Sequence, residues 1–224
     1  MTTRQRARFA LRLIPQNGPR GIGLPPTLRP IILASVSPRR RELLRRARLL
    51  FHAWDPGPDP PLPRLRSWSA ASLNATVKAA RGALAFPGHL ALGADTVVVL
   101  DQDTLGKPRE AEEARRMLRR LSGREHSVYT AFCLAYFPAR GRGKTERVRL
   151  LWLEVVQSRV RFATLTGRDI NEYVASGAPL DKAGAYGIQD SGPRLVESVH
   201  GSYYNVVGLP IHKVVQVLKI LGAL

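Results

Sequence analysis

The sequence of 224 residues holds a single cysteine, Cys133, which excludes an intrachain disulfide framework and a cysteine-rich zinc site. Cys133 lies in an alternating apolar run, the setting of a buried, inert thiol. A chain so poor in cysteine fits a reducing compartment, and a cytoplasmic location is expected. No apolar run approaches the roughly 20 residues of a membrane helix, so no membrane partner is expected. Three common catalytic templates are also missing: no G-x-x-x-x-G-K-[ST], G-x-S-x-G or H-E-x-x-H occurs. Acidic residues are scarce, 17 Asp and Glu against 35 Lys and Arg, for a net charge of +18. The basic residues are 29 Arg and 6 Lys spread from Arg4 to Lys219. Dispersal of that kind argues against nucleic acid as the primary partner, because a clustered stripe is the informative pattern.

What is present divides the chain at about residue 29. Residues 1–29 carry six arginines and no acid, and the first acidic residue is Glu42. That composition suits a transit peptide or a disordered tail, and a single folded domain is expected over residues 30–224. Within it, strands and helices alternate. Ile31 to Ala34 reads as a buried strand. Ser37 is placed as N-cap and Pro38 as first residue of a helix reaching about Leu49. The proline-rich stretch DPGPDPPLPRLR, residues 55–66, reads as irregular loop.

A helix is predicted from Ser69 to Ala85 with Leu73, Val77, Ala80 and Leu84 inward, then a strand from Leu90 to Leu100 and a turn at Asp101 to Thr104. Glu110 to Leu121 is an amphipathic helix closed by Gly123. Its inner stripe is Ala111, Ala114, Met117, Leu118 and Leu121, and Glu112 and Arg116 form a supporting pair. Ser127 to Phe137 and Arg147 to Phe162 read as strands of a hairpin through the basic loop 138–145. Thr166 and Asp169 resemble a capping box for a helix ending at Gly177. Residues 179–208 read as glycine-rich and irregular, and Pro210 opens a last helix to about Leu221. The fold class is α/β, a mixed sheet with flanking helices.

Four segments can carry chemistry. In ILASVSPRRRELL, three arginines follow Ser-Pro at the positive end of a helix dipole, unfavourable by about 0.3–1 kcal/mol each where exposed. An anion would relieve that: backbone N–H groups, Ser35, Ser37, Arg39 and Arg40 together suit phosphate oxygens. Solvated arginines behind an ordinary N-cap are the simpler alternative. In LGADTVVVLDQDTLGKP, Asp95 and Thr96 interrupt an apolar strand. A carboxylate there needs a partner, and it suits a divalent ion or a proton taken from water. A strand-end Asp capping the following turn is the simpler alternative. Lys107, between Gly106 and Pro108, is well mounted for a phosphate, with an ordinary surface lysine before a turn as the alternative. In APLDKAGAYGIQDSG, Asp181, Lys182 and Gln189 alternate with glycines that permit close backbone approach, and Gln189 offers both donor and acceptor to a planar amide edge; a tight structural loop whose side chains satisfy the backbone is the alternative. In HGSYYNVVGLPIHK, Asn205 ties the last helix to the same region, while His200 and His212 have no ligand-like spacing.

These segments, in this order, resemble the Maf family of nucleotide pyrophosphatases, also called septum-formation-inhibitor-like proteins. The resemblance runs through LASVSPRRRELL, GADTVV, GKP, EARRMLRRLSGREHSVYTAF, YVASGAPLDKAGAYGIQ and GSYYNVVGLP, from Ile31 to about Leu221. It implies an elongated α/β fold of two lobes around a deep cleft, usually dimeric. The implied activity is hydrolysis of nucleoside triphosphates to monophosphate and pyrophosphate with a divalent metal, Mg²⁺ or Mn²⁺. The run DKAGAYGIQ is similar to the branch acting on dTTP and UTP.

By residue match the resemblance makes Asp95 the proton acceptor and Arg39, Thr96 and Gln189 the base-selecting positions. It makes Ser35, Arg40, Lys78 and Lys107 phosphate-holding, and Asp95 with Asp59 the metal-holding acids. Two positions depart from the pattern: Asp59 stands where members commonly have Glu, and Ala178 where they commonly have Glu before Pro. The residues leave two rivals open, a purine-directed ITP or XTP hydrolase and a catalytically weak nucleic-acid-binding or septum-associated regulator.

Overall fold

The computed structural model describes residues 30–60, 67–139, 147–189 and 195–224. The basic extension 1–29, part of the proline-rich loop and most of the 138–145 connection lie outside the described residues. In chain order the elements are β1 (Ile31–Ala34), α1 (Pro38–Arg46), β2 (Phe51–Trp54), α2 (Ser67–Ala85), β3 (Leu90–Leu100), β4 (Asp103–Leu105), α3 (Ala111–Leu121), β5 (Glu125–Tyr136), β6 (Arg149–Phe162) and α4 (Gly167–Ala175). Two short 3₁₀ turns follow (Ala178–Asp181 and Ala183–Ala185), then β7 (Val196–His200), α5 (Tyr203–Val207) and α6 (Ile211–Ile220). Among the described residues no helix is long and apolar enough to cross a membrane.

The strands form one seven-stranded sheet in the order β2-β1-β3-β5-β6-β7, with β4 paired to β3. β1 runs parallel to both β2 and β3, and every other pairing is antiparallel. β3 has the predicted limits, and β4 turns back on it through Asp101, whose φ of 56° is the left-handed value a two-residue hairpin turn demands.

Alternation along β3 and β5 assigns the sheet faces. On one face Leu90, Leu92 and Ala94 of β3 join Phe132, Leu134 and Tyr136 of β5 in a core with α1 and α6. Further along the same face Val98, Leu100 and Val128 join a second core with α3 and α4. Between them stand Thr96 and Thr130, paired in register with their hydroxyl oxygens 2.9 Å apart. Thr130 donates to the Asn205 carbonyl at 2.8 Å, and the Asn205 amide donates to Val128 O and Ser158 Oγ at 3.0 and 3.1 Å. A polar seam thus separates two apolar cores, the two lobes expected of this α/β sheet.

The opposite face of β3 is covered by α2. Its buried row is Ala71, Ala75, Ala79 and Ala83, all fully buried, whereas Leu73 and Leu84 are 37% and 38% exposed. Of the inward stripe expected for α2, only Ala80 is buried. The reason is proximity. A Cβ built on Gly93 would lie 2.2 Å from Ala75 O and 2.4 Å from Ala79 N, so only alanine fits between helix and strand.

Other local expectations hold or are corrected by packing. The Thr166–Asp169 capping box forms in both directions. Ser37 occupies the N-cap position, but its hydroxyl makes no capping bond, and α1 ends at Arg46. Ala111 is exposed, and Glu112 pairs with Arg115 and Arg119 rather than Arg116. The segment read as irregular contains β7 and α5, and β2 adds an edge strand not anticipated from the sequence. Cys133 is fully buried, and burial pushes its thiol up to about 12, as an inert thiol requires.

Candidate active site

The site begins at a gap in strand pairing. β1 pairs with β3 only as far as Gly93, and β4 begins its pairing at Val98. Residues 94–97 therefore present a free edge on that side, and side chains from both faces of β3, Asp95 and Thr96, reach the same space. Chain segments leaving the two flanking strands wall it in: Ser35 to Arg40 beyond the end of β1, and Lys107 beyond β4. The loop at Asp59, the 3₁₀ turns with Lys182, and α5 complete a cavity of about 360 Å³. That volume lies in the range of small-molecule sites.

The residues that the family resemblance assigns to the site, Ser35, Arg39, Arg40, Asp59, Lys78, Asp95, Thr96, Lys107 and Gln189, all line this one cavity. Arg40 is its most constrained cation. Its Nε donates to Gly208 O at 2.8 Å, and its terminal nitrogens donate to Ser35 Oγ at 3.1 Å and Thr96 Oγ1 at 3.2 Å. Burial lowers its pKa, opposed by the Asp95 charge, and a guanidinium stays protonated even so. Arg39 reaches across to Asp181 at 3.0 Å. Burial raises the Asp181 carboxyl, but hydrogen bonds from Lys182 and Arg39 outweigh it and leave the group below its usual range.

Asp95 and Lys78 form the half-buried centre. Lys78 Nζ lies 3.0 Å from Asp95 Oδ1 and 2.8 Å from Asp59 Oδ1, so one ammonium joins two carboxylates from distant parts of the chain. The other Asp95 oxygen accepts from Asn74 Nδ2 at 2.9 Å. Lys107 is exposed and makes no ion pair among the described residues, and the exposed Gln189 amide makes no hydrogen bond among them either. Five cations (Arg39, Arg40, Lys78, Lys107, Lys182) face three carboxylates (Asp59, Asp95, Asp181) in the cavity wall. The excess of positive charge suits a polyanion.

Sequence reasoning missed Asn74 and the support beneath the Gln189 segment. Asn74 had a signal: an amide among the alanines of a helix, one turn before Lys78. The support is Tyr186, which lines the cavity and whose hydroxyl meets His126 Nε2 at 2.7 Å, with Phe162 packed edge-on against both rings. Burial pushes His126 down to about 4 and raises the Tyr186 phenol above its ordinary value.

A pH dependence follows from His126. A histidine held neutral in the fold and ordinary when unfolded contributes stability that is complete above about pH 6.5 and is lost as pH falls toward 4. The shift corresponds to about 3 kcal/mol. Urea titrations between pH 7 and 4.5 are expected to show a shallower decline for His126→Gln than for the wild type.

The profile of the family described as Maf-like protein matches residues 30–221. The chain belongs to the Maf family. A Maf relative from Symbiobacterium thermophilum, named dTTP/UTP pyrophosphatase, is 44% identical over 193 residues, covering 86% of this chain and 94% of the relative. A relative of the same name from Geobacter sp. strain M21 is 41% identical, over 87% of this chain and 96% of its own length. One from Geobacillus sp. strain WCH70 is 41% identical, over 87% of this chain and 100% of its own. The Maf match begins at residue 30, where the basic extension ends.

Proposed function

We propose that this Maf protein hydrolyses pyrimidine nucleoside triphosphates, dTTP and UTP, to the monophosphate and pyrophosphate, cleaning the nucleotide pool. One observation carries the reading: Asp95 shares a single cavity with Arg40, Lys78 and Lys107. The names of relatives at 41–44% identity over nearly all of this domain support it.

The steps follow from the residues. Lys107, Arg39 and the Ser35 loop meet the phosphate oxygens, and Arg40, fixed on three sides, keeps a positive wall beside Asp95. Asp95 takes a proton from a water whose oxygen bonds to the α-phosphorus. The bond from that phosphorus to the oxygen bridging to the β-phosphate breaks, and pyrophosphate leaves against the cations. The arginines at the start of α1 are tolerated because the substrate supplies the anion that a helix N-terminus favours. Gln189 and Arg39 address the base edge, where an unmatched polar group is costly enough to discriminate. Thr96 contributes mainly by holding Arg40, since its hydroxyl is already bonded to Arg40 and Thr130.

A divalent cation fits this donor set. Asp59 and Asp95 offer only oxygen, which suits Mg²⁺ or Mn²⁺, and both already converge on one cation, the Lys78 ammonium. Among the described residues no third Asp, Glu, His or Cys completes a cluster, so phosphate and water oxygens would fill the remaining positions. Bound there, such an ion would neutralise the polyphosphate and help stabilise the leaving group. Asp59 would fill the role with a side chain one methylene shorter than the family's common Glu. A homodimer in the cytoplasm belongs to the same proposal.

The test is a panel of dTTP, UTP, CTP, ITP, XTP and purine triphosphates with Mg²⁺, Mn²⁺ or chelator, read as pyrophosphate released. The expected result is metal-dependent release with kcat/KM highest for dTTP and UTP. A preference for ITP or XTP would move the protein to the purine-directed class. Absence of release together with salt-steep nucleic-acid binding would make it a regulator.

A further inference from the structure

Asn74 stands one helical turn before Lys78 on α2, beside the row Ala71, Ala75 and Ala79 packed on β3. Stability gives no reason for an amide at this position. Asparagine forms helix less readily than the neighbouring alanines. The residue is 7% exposed, and its Oδ1 is buried with no hydrogen-bond partner. Leucine, of similar size, would leave no orphaned acceptor in the interior.

What the amide accomplishes is local to Asp95. Asn74 Nδ2 donates to Asp95 Oδ2 at 2.9 Å while Lys78 Nζ donates to Oδ1 at 3.0 Å. Residues four apart share a helix face, so a single face of α2 holds both carboxylate oxygens. Two donors on two oxygens fix the rotation about the Cβ–Cγ bond. With the Lys78 donor alone, the group is free to turn and the ammonium to draw either oxygen.

We propose that Asn74 is a positioning residue for hydrolysis, fixing the plane of the Asp95 carboxylate so that its remaining lone pairs face the cavity rather than Lys78. The proposal rests on the reading of Asp95 as proton acceptor. It treats the orphaned Oδ1 as the stability given up to place the Nδ2 donor.

The test compares Asn74→Leu, Asn74→Asp and Asn74→Gln with the wild type and with Asp95→Asn, measuring kcat and KM for dTTP with Mg²⁺ and the thermal midpoint. Leucine and aspartate remove the donor, and glutamine keeps an amide. The donorless variants are expected to lose about 10- to 100-fold in kcat, with KM little changed and the Asn74→Leu midpoint at or above that of the wild type. Asn74→Gln is expected to recover part of the loss. Wild-type kcat in either donorless variant overturns the proposal, as does a fall in kcat that simply tracks the thermal midpoint across all three. Turnover retained by Asp95→Asn sinks the underlying reading and this proposal with it, whereas an inactive Asp95→Asn beside a fully active Asn74→Leu sinks this one alone.

Discussion

Asp95→Asn is expected to lower kcat by about 10³- to 10⁴-fold while leaving the fold intact and triphosphate binding as tight as before or tighter. The substitution is isosteric. The asparagine side-chain oxygen still accepts a hydrogen bond, and Lys78 keeps its 2.8 Å contact with Asp59, so no buried cation is stranded. What disappears is the capacity to take a proton from water, and with it one negative charge beside a polyanion. At saturating Mg²⁺, so that the metal position Asp95 would share with Asp59 stays filled, loss of repulsion lowers KM or leaves it alone, and the signature is a fall in kcat with no rise in KM. Single-turnover pyrophosphate release gives the first quantity, and calorimetric titration with a non-hydrolysable dUTP analogue gives the affinity. A variant that turns over dTTP within a few-fold of the wild type would remove Asp95 from the mechanism and return the role to another group in the cavity.

The same comparison separates catalysis from architecture at Arg40. That residue lines the cavity, yet its three hydrogen bonds go to Gly208, Ser35 and Thr96, joining α1, β3 and the end of α5 across the seam between the cores. Its removal would disturb the fold and the site together, and loss of activity there would say little about phosphate binding. Lys107, exposed and without an ion pair among the described residues, is the cleaner reporter of phosphate contact.

How far the sequence carried the reading depended on how local the deciding physics is. The limits of β3, the closure of α3 by Gly123 and the Thr166–Asp169 capping box depend on periodicity and turn chemistry within a dozen residues, and all three were legible. The two edge elements were not. β2 is four residues long, with no alternation and prolines soon after it, and β7 and α5 are five residues each inside a glycine-rich stretch. Most of the candidate site residues stood out in their segments, whereas Asp59 and Lys78 were named only through the family resemblance. Nothing in the chain alone indicates that Asp59 and Asp95 meet on Lys78, because that contact depends on how α2 lies on β3. The inward face of α2 was misjudged for the same reason: hydrophobicity favoured Leu73 and Leu84, and available space selected alanine.

That space makes Gly93→Ala the substitution with the largest expected effect on stability. The obstruction is backbone, Ala75 O at 2.2 Å and Ala79 N at 2.4 Å from the added Cβ, so no rotamer change relieves it. Either α2 lifts as a unit from β3 or the strand bends away from it. Each route opens gaps along the alanine row, where contacts are short and replacement side chains are absent. A loss of at least about 4 kcal/mol is expected, above the usual range for overpacking because the backbone cannot yield locally. Against the 5–15 kcal/mol of a typical domain that is a large share, and the thermal midpoint should fall by about 10 °C or more. The glycine does not sit at positive φ, so the cost is steric rather than conformational. Gly93→Ser, similar in bulk, should therefore behave like the alanine variant. Lifting α2 also withdraws Asn74 and Lys78 from Asp95, contacts of 2.9 and 3.0 Å that depend on the same close approach. Activity should therefore fall before the protein unfolds, and dTTP turnover at a temperature well below the new midpoint would show it. A Gly93→Ala protein with an unchanged denaturation midpoint would mean that helix and strand stand further apart than the alanine row implies, and the account of why Asp95 meets its partners would fail at its first step.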